Sequence, residues 1–483
     1  MTEHRHREVD AAERMTEHEA LMWNIEKDPW LNPSGAGMFV FDRPIDVDRL
    51  RARMRAAVAD LPRFYQRVQP GLGRLSTPAW VPDPEFDFDF HFRVVRLPTP
   101  GTERQLLDFA AKLYMEPLDR TRPLWRMVVI EGLESGQGAL WTIVHHAISD
   151  GIGQLRMAEM FQDLERDVEP TPEIDLEGIV ADKVARFAQK EAGGDLGSSF
   201  ATTAAHSVSH LLRRTVGTAR RAAGEIAIWP ADPARAAEAI GDVATLVRTT
   251  ADQLGSGSGN GIVGAPLFHD RSRHRHLETV RVPLDELKAA SKAAGATIND
   301  SFVAVMADAV VRYHEDRNAP FDILNISFVI STRTDDLAGG NAFTPVAVQL
   351  PAGSMTLAQR LAAAREVIAE ARESASRGGG ITALSGVLNL LPTSVVTRTA
   401  RAQAAKLDLA TSNLRGAPIP LYIGGAEVLY SVTMGPLAGT PCNATALSYR
   451  NSFDIGLFID PVAIKEPEAF RECVEAAFAD LLG

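Results

Sequence analysis

The spacing of apolar residues predicts strands and helices along the first half of the chain. Residues 38–41 form a short apolar run that is typical of a strand. Residues 46–61 and 103–115 place apolar side chains every three or four positions, which predicts amphipathic helices. A further helix is expected to begin after Thr16, because Glu19 three residues later completes a capping-box pattern.

The second half of the chain repeats this mixture of strands and helices. Its predicted strands are residues 277–282, 323–330, 343–350, 410–414, 426–433, 444–449 and 453–459. Its predicted helices are residues 285–294, a capped helix from 297 to about 314, much of 357–405, and 467–481. We therefore expect two α/β layers of similar design that face each other across a ligand tunnel.

The most informative stretch is residues 141–151, Trp-Thr-Ile-Val-His-His-Ala-Ile-Ser-Asp-Gly. Its apolar, β-branched beginning predicts a strand, and its Ser-Asp-Gly end predicts a turn. We expect this strand to form a hairpin with residues 127–130, because residues 136–138 provide a short glycine-containing turn. Neighbouring strand residues face opposite sides, so only one of His145 and His146 can point into a given cavity.

This histidine pair is a candidate general-base site. An imidazole titrates near neutral pH and can take a proton from a hydroxyl or thiol, while Asp150 can hold a nearby cation or ring N–H. A helix predicted to run from Gly151 through Leu164 would place its N-terminal amides beside the turn, which suits a phosphate or an oxyanion. The alternative is a purely structural histidine pair at the end of a strand.

Composition and charge limit the classes of partner. The chain has 483 residues and a formal net charge of −12, which argues against nucleic acid as the main partner because phosphate binding needs a basic face. Cys442 and Cys473 are far apart in sequence, so neither a disulfide framework nor a cysteine zinc site is expected. The polar N-terminus is not a secretory signal and no apolar run is long enough for a bilayer, so we expect a cytoplasmic protein.

The composition changes between residues 167 and 264 and suggests a division into domains. We expect an N-terminal domain over residues 1–166, a helical crossover with a Gly/Ser linker over 167–264, and a C-terminal domain over 265–483. A basic helical piece at residues 206–221 can be interpreted as a contact with anionic lipid or as a solvated helix face.

Two polar clusters in the second half of the chain each allow a purely structural interpretation and a functional one. Arg271-Ser-Arg-His-Arg-His276 can contact a phosphate, such as those of coenzyme A, or can be a simple surface cluster. Asn299 and Asp300 stand at a predicted helix start, where such residues usually act as caps.

Several motifs together resemble the bacterial wax ester synthase/diacylglycerol acyltransferase family, within the coenzyme-A-dependent acyltransferase superfamily. The resemblance covers nearly the full chain. The matching positions are His145-His146-x-x-x-Asp150-Gly151, Pro123-Leu124-Trp125, His91 with Arg93, Asn299-Asp300, Ser331 to Asn341, and Ser412-Asn413-Leu414-Arg415-Gly416. Thr16 and Glu19 depart from the family's Ser-x-x-Asp opening, which continues with Ala20 and Glu26, and Phe268 stands where the family usually has Asn.

The resemblance implies two chloramphenicol acetyltransferase-like α/β domains with a tunnel at their interface. It also implies transfer of a fatty acyl group from acyl-coenzyme A to a diacylglycerol or long-chain alcohol, which makes triacylglycerol or wax ester without a covalent enzyme intermediate. His146 would be the general base, His145 and Asp150 its structural partners, and Gly151 would permit the turn. The other implied contacts to substrate or tunnel are Pro123, Leu124, Trp125, Asn299, Asp300, Ser412 and Asn413.

Other implications concern partners, location and the oxyanion. Acyl-coenzyme A would be a co-substrate with no permanently bound cofactor, and attachment to the inner membrane or lipid droplets would be peripheral. The oxyanion donor would be backbone N–H groups at the turn or the amide of Asn299.

Alternative functions are separated by simple features of the sequence. A Ser-His-Asp hydrolase is disfavoured because the sequence has no Gly-x-Ser-x-Gly elbow. A metal site at His145, His146 and Asp150 is disfavoured because adjacent strand residues point apart. Two alternatives stay open: a condensation-type acyltransferase that uses another acceptor or carrier-bound acyl groups, and a non-catalytic protein of lipid surfaces.

Overall fold

A computed structural model describes residues 13–71, 77–192, 264–331, 343–377, 385, 388–389 and 391–483. The strands are β1 Glu13–Arg14, β2 Ser34–Phe41, β3 Gln66–Gln69, β4 Ala79–Pro82, β5 Phe92–Arg96, β6 Trp125–Glu131, β7 Gly138–His145, β8 His276–Pro283, β9 Ile323–Ser331, β10 Phe343–Pro351, β11 Leu409–Arg415, β12 Tyr422–Ile423, β13 Ala426–Met434, β14 Cys442–Tyr449 and β15 Ser452–Ile459. The helices are α1 Glu17–Ile25, α2 Val47–Asp60, α3 Phe88–His91, α4 Glu103–Met115, α5 Gly151–Ala158, α6 Leu176–Ala192, α7 Leu284–Ala293, α8 Ile298–Glu315, α9 Leu357–Arg377, α10 Thr393–Ala404 and α11 Pro467–Leu482.

Two six-stranded sheets carry the fold. The first has the order β12-β13-β2-β7-β6-β5, and the second has the order β10-β9-β11-β14-β15-β8. β6 and β7 are antiparallel neighbours, with Trp125 opposite Val144, so the predicted hairpin is confirmed. β7 lies between β2 and β6, and the end of this inner strand is therefore held on both sides.

The second half of the chain contributes two strands, β12 and β13, to the first sheet. β13 pairs antiparallel with β2, with Met434 opposite Ala36 and Thr433 opposite Gly37. The predicted boundary near residue 264 therefore does not separate the two sheets, because β12 and β13 return to the N-terminal one. This pairing places β13, from the second half of the chain, beside β2. β2 is in turn the neighbour of β7, the strand that ends at His145.

Two hydrophobic clusters fill the spaces beside the sheets. The first cluster packs around fully buried residues of β6 and β7, such as Val128 and Trp141, and it also includes Leu277 and Phe458 from the second half. The second is centred on α8, whose residues are buried along most of its length. Burial of apolar surface at roughly 25 cal/mol per Å² is the main driving force for holding such layers together.

Most elements expected from the apolar spacing are present, and the main local difference follows Gly151. The helix predicted to continue through Leu164 ends at Ala158 and is followed by a single 3-10 turn at Glu159–Phe161. The side chain of Leu164 is 68% exposed, so its apolar character did not reflect a buried helix face. The predicted Gly/Ser linker and the basic piece at 206–221 lie outside the described residues.

No single helix in the described ranges has the length and apolar character needed to cross a membrane. α7 and α8 meet that test only as a pair, and they are bent by 93° relative to each other.

Candidate active site

His146 lies on the wall of a large cavity between the two halves. β7 ends at His145, and the chain then turns so that the backbone N–H of His146 donates to the carbonyl of Pro33 at 3.1 Å. His146 is 7% exposed and lines the cavity, whereas His145 is fully buried and does not. The strand alternation therefore separates the two imidazoles as the sequence predicts.

The cavity has a volume of about 1040 Å³ and a mostly apolar lining. Its wall is drawn from both halves, with Leu21 and Thr142 on one side and Ala347 and Leu447 on the other. This volume lies at the upper end of the ~300–1,000 Å³ that is usual for small-molecule sites. The cavity can therefore hold a long, largely hydrocarbon ligand beside an imidazole.

His145 is held in one tautomer by contacts on both ring nitrogens. The backbone N–H of Ala147 donates to Nδ1 at 2.9 Å, so in the neutral ring the proton is on Nε2. Nε2 faces Glu26 Oε2 at 3.4 Å, and Arg120 donates to the same carboxylate. Arg120 also donates to the carbonyl of Trp23 at 2.8 Å and stacks over its ring. This chain of contacts fixes the turn that presents His146.

Charge and burial set the pKa values in this network. Burial opposes ionisation of Glu26, but its contacts with His145 and Arg120 hold the pKa of this carboxyl below its ordinary value. Burial lowers the pKa of His146 to about 4, the neighbouring His145 acts in the same direction, and Asp150 opposes both. The His146 ring is therefore neutral at physiological pH and has a lone pair available to accept a proton.

Asp150 and Gly151 form the beginning of α5. Asp150 is the N-cap residue, and its Oδ1 accepts a hydrogen bond from the Gly153 N–H at 2.8 Å. A Cβ added at Gly151 would lie 3.2 Å from the side chain of Leu414, so β11 approaches the turn closely at this position. The cation expected beside Asp150 stays a prediction.

The predicted tunnel residues differ in what they contact. Trp125 lines the cavity and donates from Nε1 to the Phe64 carbonyl at 2.8 Å. Leu124 and Pro123 are buried but do not line the cavity, and the Leu124 carbonyl accepts from the His145 N–H at 3.0 Å. Leu124 therefore supports the histidine turn through its backbone. Ser412 and Asn413 on β11 both line the cavity, and their contact with substrate stays a prediction.

The prediction that Asn299 and Asp300 bind substrate is not supported by their position. Neither belongs to the described residues that line the cavity. Asp300 accepts from the Thr297 N–H at 2.9 Å and closes a capping box at the start of α8. Asp300 therefore has the capping role, and a contact of Asn299 or Asp300 with substrate stays a prediction. Of the Ser331 to Asn341 motif, residues 332–341 lie outside the described residues.

Sequence reasoning missed two residues beside His146. A Cβ added at Gly35 on β2 would lie 3.3 Å from His146 Nε2 and 2.9 Å from Gln154 Oε1. Gln154 donates from Nε2 to the carbonyls of Val144 and Ser149 at 3.3 and 3.1 Å and so ties α5 to the turn. A glycine in a strand interior is the one local signal that could have pointed to such a close approach.

Comparisons with known proteins agree with this geometry. Residues 15–302 match the family model of the wax ester synthase/diacylglycerol acyltransferase catalytic domain, and residues 339–482 match that of the family's C-terminal domain. A Mycobacterium tuberculosis protein named "Putative diacyglycerol O-acyltransferase" is 28% identical over 467 residues, which are 96% of this chain and 90% of that protein. A second M. tuberculosis protein of the same name is 30% identical over 433 residues, or 87% of this chain and 86% of that protein.

Solved structures show the same fold. A wax ester synthase/diacylglycerol acyltransferase from Marinobacter aquaeolei has a TM-score of 0.61 at 22% identity, covering 97% of this chain and 98% of that one. The first condensation domain of the calcium-dependent antibiotic synthetase has a TM-score of 0.56 at 16% identity, with 97% and 96% covered.

Proposed function

Since this chain belongs to the wax ester synthase/diacylglycerol acyltransferase family and is an acyltransferase, we propose that it transfers a fatty acyl group from acyl-coenzyme A to a diacylglycerol or a long-chain alcohol. The observation that carries this proposal is the buried imidazole of His146 on the wall of a large, mostly apolar cavity. Acyl-coenzyme A is a co-substrate in this scheme, and no permanently bound cofactor is needed.

His146 is the general base of the proposed reaction. Its neutral ring takes the proton of the acceptor hydroxyl as that oxygen attacks the thioester carbonyl. A new C–O bond forms, the C–S bond breaks, and the imidazolium returns its proton to the departing thiolate. No bond to the enzyme is made at any stage, so the acyl group passes directly from donor to acceptor.

The negative charge that develops on the carbonyl oxygen needs donors near the turn. α5 begins at Gly151, a residue that lines the cavity, and a helix N-terminus favours nearby negative charge. We assign the oxyanion contact to backbone N–H groups at the start of this helix. The buried Asp150 beside His146 favours the imidazolium that forms during the reaction.

The apolar wall of the cavity supports a lipid acceptor. Val329 and Val395 line the cavity and keep 39% and 46% of their surface accessible. An alcohol with long hydrocarbon chains can lie against such side chains without burying polar groups. Peripheral contact with a lipid surface, at the inner membrane or a lipid droplet, would deliver such an acceptor.

The test is an acyl-coenzyme A assay across diacylglycerols, fatty alcohols and short polar alcohols, with free thiol and ester product both measured. The proposal predicts ester formation with the long-chain acceptors in stoichiometric balance with thiol release. Acyl groups attached to a carrier protein serve as the competing donor. Turnover only with carrier-bound donors, or no turnover with any acceptor, would overturn the proposal.

A further inference from the structure

A small group of polar side chains interrupts the mostly apolar lining of the cavity where the two sheets meet. Thr433 belongs to β13 of the first sheet, and Asn443 and Thr445 belong to β14 of the second. All three line the cavity and are at most 8% exposed. Polar groups in an apolar wall are destabilising unless they are hydrogen-bonded, either within the protein or by a ligand.

Hydrogen bonds within this group fix the orientation of the Asn443 amide. Thr445 Oγ1 donates to Asn443 Oδ1 at 2.7 Å, and Asn443 Nδ2 donates to the Pro436 carbonyl at 3.2 Å. Thr433 Oγ1 donates to the Thr445 carbonyl at 3.0 Å and so joins the two strands. An amide nitrogen carries two N–H donors, and the described residues accept only one of those of Asn443. The amide oxygen is thus occupied, and one N–H is left for an acceptor atom of a ligand.

Gly435 and Gly35 lie side by side on neighbouring strands. The register between β13 and β2 runs to the pair directly before them. The Tyr114 hydroxyl lies 2.6 Å from the carbonyl of Ser34 and 3.2 Å from that of Gly435, so the two chain segments stay together at this point. Both glycines line the cavity, and the absence of their side chains leaves space over the strands.

These glycines set the distance between the Asn443 amide and the candidate base. A Cβ added at Gly435 would lie 2.7 Å from Asn443 Nδ2, and one added at Gly35 would lie 3.3 Å from His146 Nε2. Opposite residues on neighbouring strands have Cβ atoms about 5 Å apart, so the amide nitrogen and the imidazole nitrogen are no more than about 11 Å apart. Hydrogen bonds of about 2.9 Å at each end leave a gap that a few covalent bonds can span.

We propose that Asn443 donates a hydrogen bond to an ester carbonyl of the acceptor, and that Thr445 holds the amide in position for it. This inference rests on the proposed function. In a diacylglycerol the free hydroxyl and the nearest ester carbonyl are a few bonds apart, so one can reach His146 while the other reaches Asn443. During attack the hydroxyl oxygen lies between the imidazole and the thioester, so the acceptor is the substrate nearer to this wall.

The consequence is selection of acceptors by a polar group close to the hydroxyl. An acceptor without a carbonyl leaves the Asn443 N–H unpaired in a mostly apolar cavity. A site built to hydrogen-bond one group of a substrate discriminates against analogues that lack that group. Asn443 is thus a specificity-determining residue, and Thr445 is a positioning residue.

The test uses two acceptors of the same shape. Dipalmitoylglycerol carries two ester carbonyls, whereas its diether analogue, dihexadecylglycerol, has none. With palmitoyl-coenzyme A as the common donor, we expect the wild-type protein to favour the diester in kcat/KM by roughly 10-fold, the loss expected for one unpaired donor. In Asn443→Leu, which keeps a similar side-chain shape without donors, this preference should disappear.

Two further variants complete the comparison. Thr445→Val removes the hydroxyl that occupies Asn443 Oδ1 but leaves the amide present, so the preference for the diester should fall only in part. This variant also keeps the inference testable if Asn443→Leu does not fold. Asn451→Leu is the matched control, because it makes the same change at an exposed residue between β14 and β15 that does not line the cavity. Its preference should equal that of the wild type.

The acyl donor is the other source of a carbonyl, because the pantetheine arm of coenzyme A contains amides. If the Asn443 amide binds the donor, Asn443→Leu should lose the same factor with both acceptors, and that result would overturn the inference. A wild-type protein without preference for the diester, or an unchanged preference in Asn443→Leu, would overturn it as well.

Equilibrium binding separates failure of this inference from failure of the proposed function. Dioctanoylglycerol and its diether analogue, dioctylglycerol, are compared as ligands without any donor. Binding of the diester that is roughly 10-fold tighter in the wild type, and no such difference in Asn443→Leu, would support the site even where no ester is formed. Equal affinities for the two ligands in the wild type would contradict the inference, whereas ester formation on a long-chain alcohol would still support the proposed function.

Discussion

The carboxylate of Glu26 lies 3.4 Å from His145 Nε2, on a histidine that does not line the cavity. Glu26 is the C-cap residue directly after α1, and His145 is the last residue of β7. One contact therefore joins the first helix to the turn that carries His146. The contact is strengthened by Arg120, which reaches the same carboxylate from the segment before β6.

Replacing Glu26 should weaken both the reaction and the fold. In Glu26→Gln, Arg120 loses its charged partner and His145 loses the carboxylate that fixes its tautomer, so we expect kcat to fall about 10-fold with a smaller change in KM. The Arg120 side chain is 29% exposed, so we expect a loss of only about 1–3 kcal/mol in the free energy of unfolding. Steady-state kinetics and urea unfolding measure the two effects. Glu134→Gln, an exposed position in the β6–β7 hairpin, is the control, and a Glu26→Gln enzyme with wild-type kcat would contradict this role.

The close approach of β2 to His146 can be tested with alanine substitutions at two glycines of this strand. In Gly35→Ala the new Cβ would lie 2.9 Å from Gln154 Oε1 and 3.3 Å from His146 Nε2, so it should displace Gln154 and crowd the base. Gln154 is a flexible side chain that can move, so we expect less than about 1 kcal/mol of destabilisation but a clear fall in kcat. In Gly37→Ala the nearest atom is Thr142 Oγ1 at 3.7 Å, an ordinary contact, and kcat should stay near the wild-type value. Equal kcat values in the two variants would refute the crowding argument.

The pKa of His146 predicts an unusual acid limb in the pH profile. Burial lowers this pKa to about 4, so the free enzyme keeps its base unprotonated well below the ordinary histidine value of 6.5. We expect kcat/KM to hold from pH 7 down to about pH 5 and to fall as pH drops through about 4. Brief assays, with recovery of full activity on return to pH 7, separate protonation from unfolding. An acid limb centred near pH 6.5 would show that the base is not a buried imidazole of this kind.

His314 gives a separate test of how burial affects stability, at a residue that does not line the cavity. Its Nδ1 donates to the Val310 carbonyl at 2.7 Å, its Nε2 accepts from the Leu267 N–H at 3.3 Å, and burial lowers its pKa to about 4. Between pH 4 and 6.5 the unfolded chain binds a proton here that the folded chain does not, so this residue makes stability rise with pH. In His314→Gln the slope of unfolding free energy against pH should decrease by up to about 1.4 kcal/mol per pH unit in this window. Urea unfolding at several pH values measures the slope, and an unchanged slope would contradict the buried neutral state.

The elements of the fold were largely predictable because they depend on local apolar spacing. The helix predicted over residues 103–115 is α4 without change, and the strand predicted over 426–433 is β13 extended by one residue. The pairing of β13 with β2 was not predictable, because local alternation does not say which distant strand will be the neighbour. The same limit applied after Gly151, where an apolar Leu164 suggested a longer helix although its side chain is exposed.

The candidate site was predictable only where its residues are neighbours in sequence. The alternation of His145 and His146 correctly indicated that one ring faces a cavity and the other does not. The Glu26 contact joins residues more than a hundred positions apart, and no spacing rule connects them. At Asn299 and Asp300 the family resemblance suggested substrate contacts, which stay a prediction, whereas local capping chemistry alone explains the position of Asp300.

The most direct measurement of the central claim is the rate of acyl transfer from palmitoyl-coenzyme A in His146→Ala. The account predicts a fall of roughly 10²- to 10⁴-fold in kcat, the usual contribution of a general base, in a protein that keeps its native circular dichroism spectrum. His274→Ala, an exposed histidine that does not line the cavity, should keep the wild-type rate. A folded His146→Ala protein that forms ester as fast as the wild type would contradict the claim that this imidazole takes the proton of the acceptor.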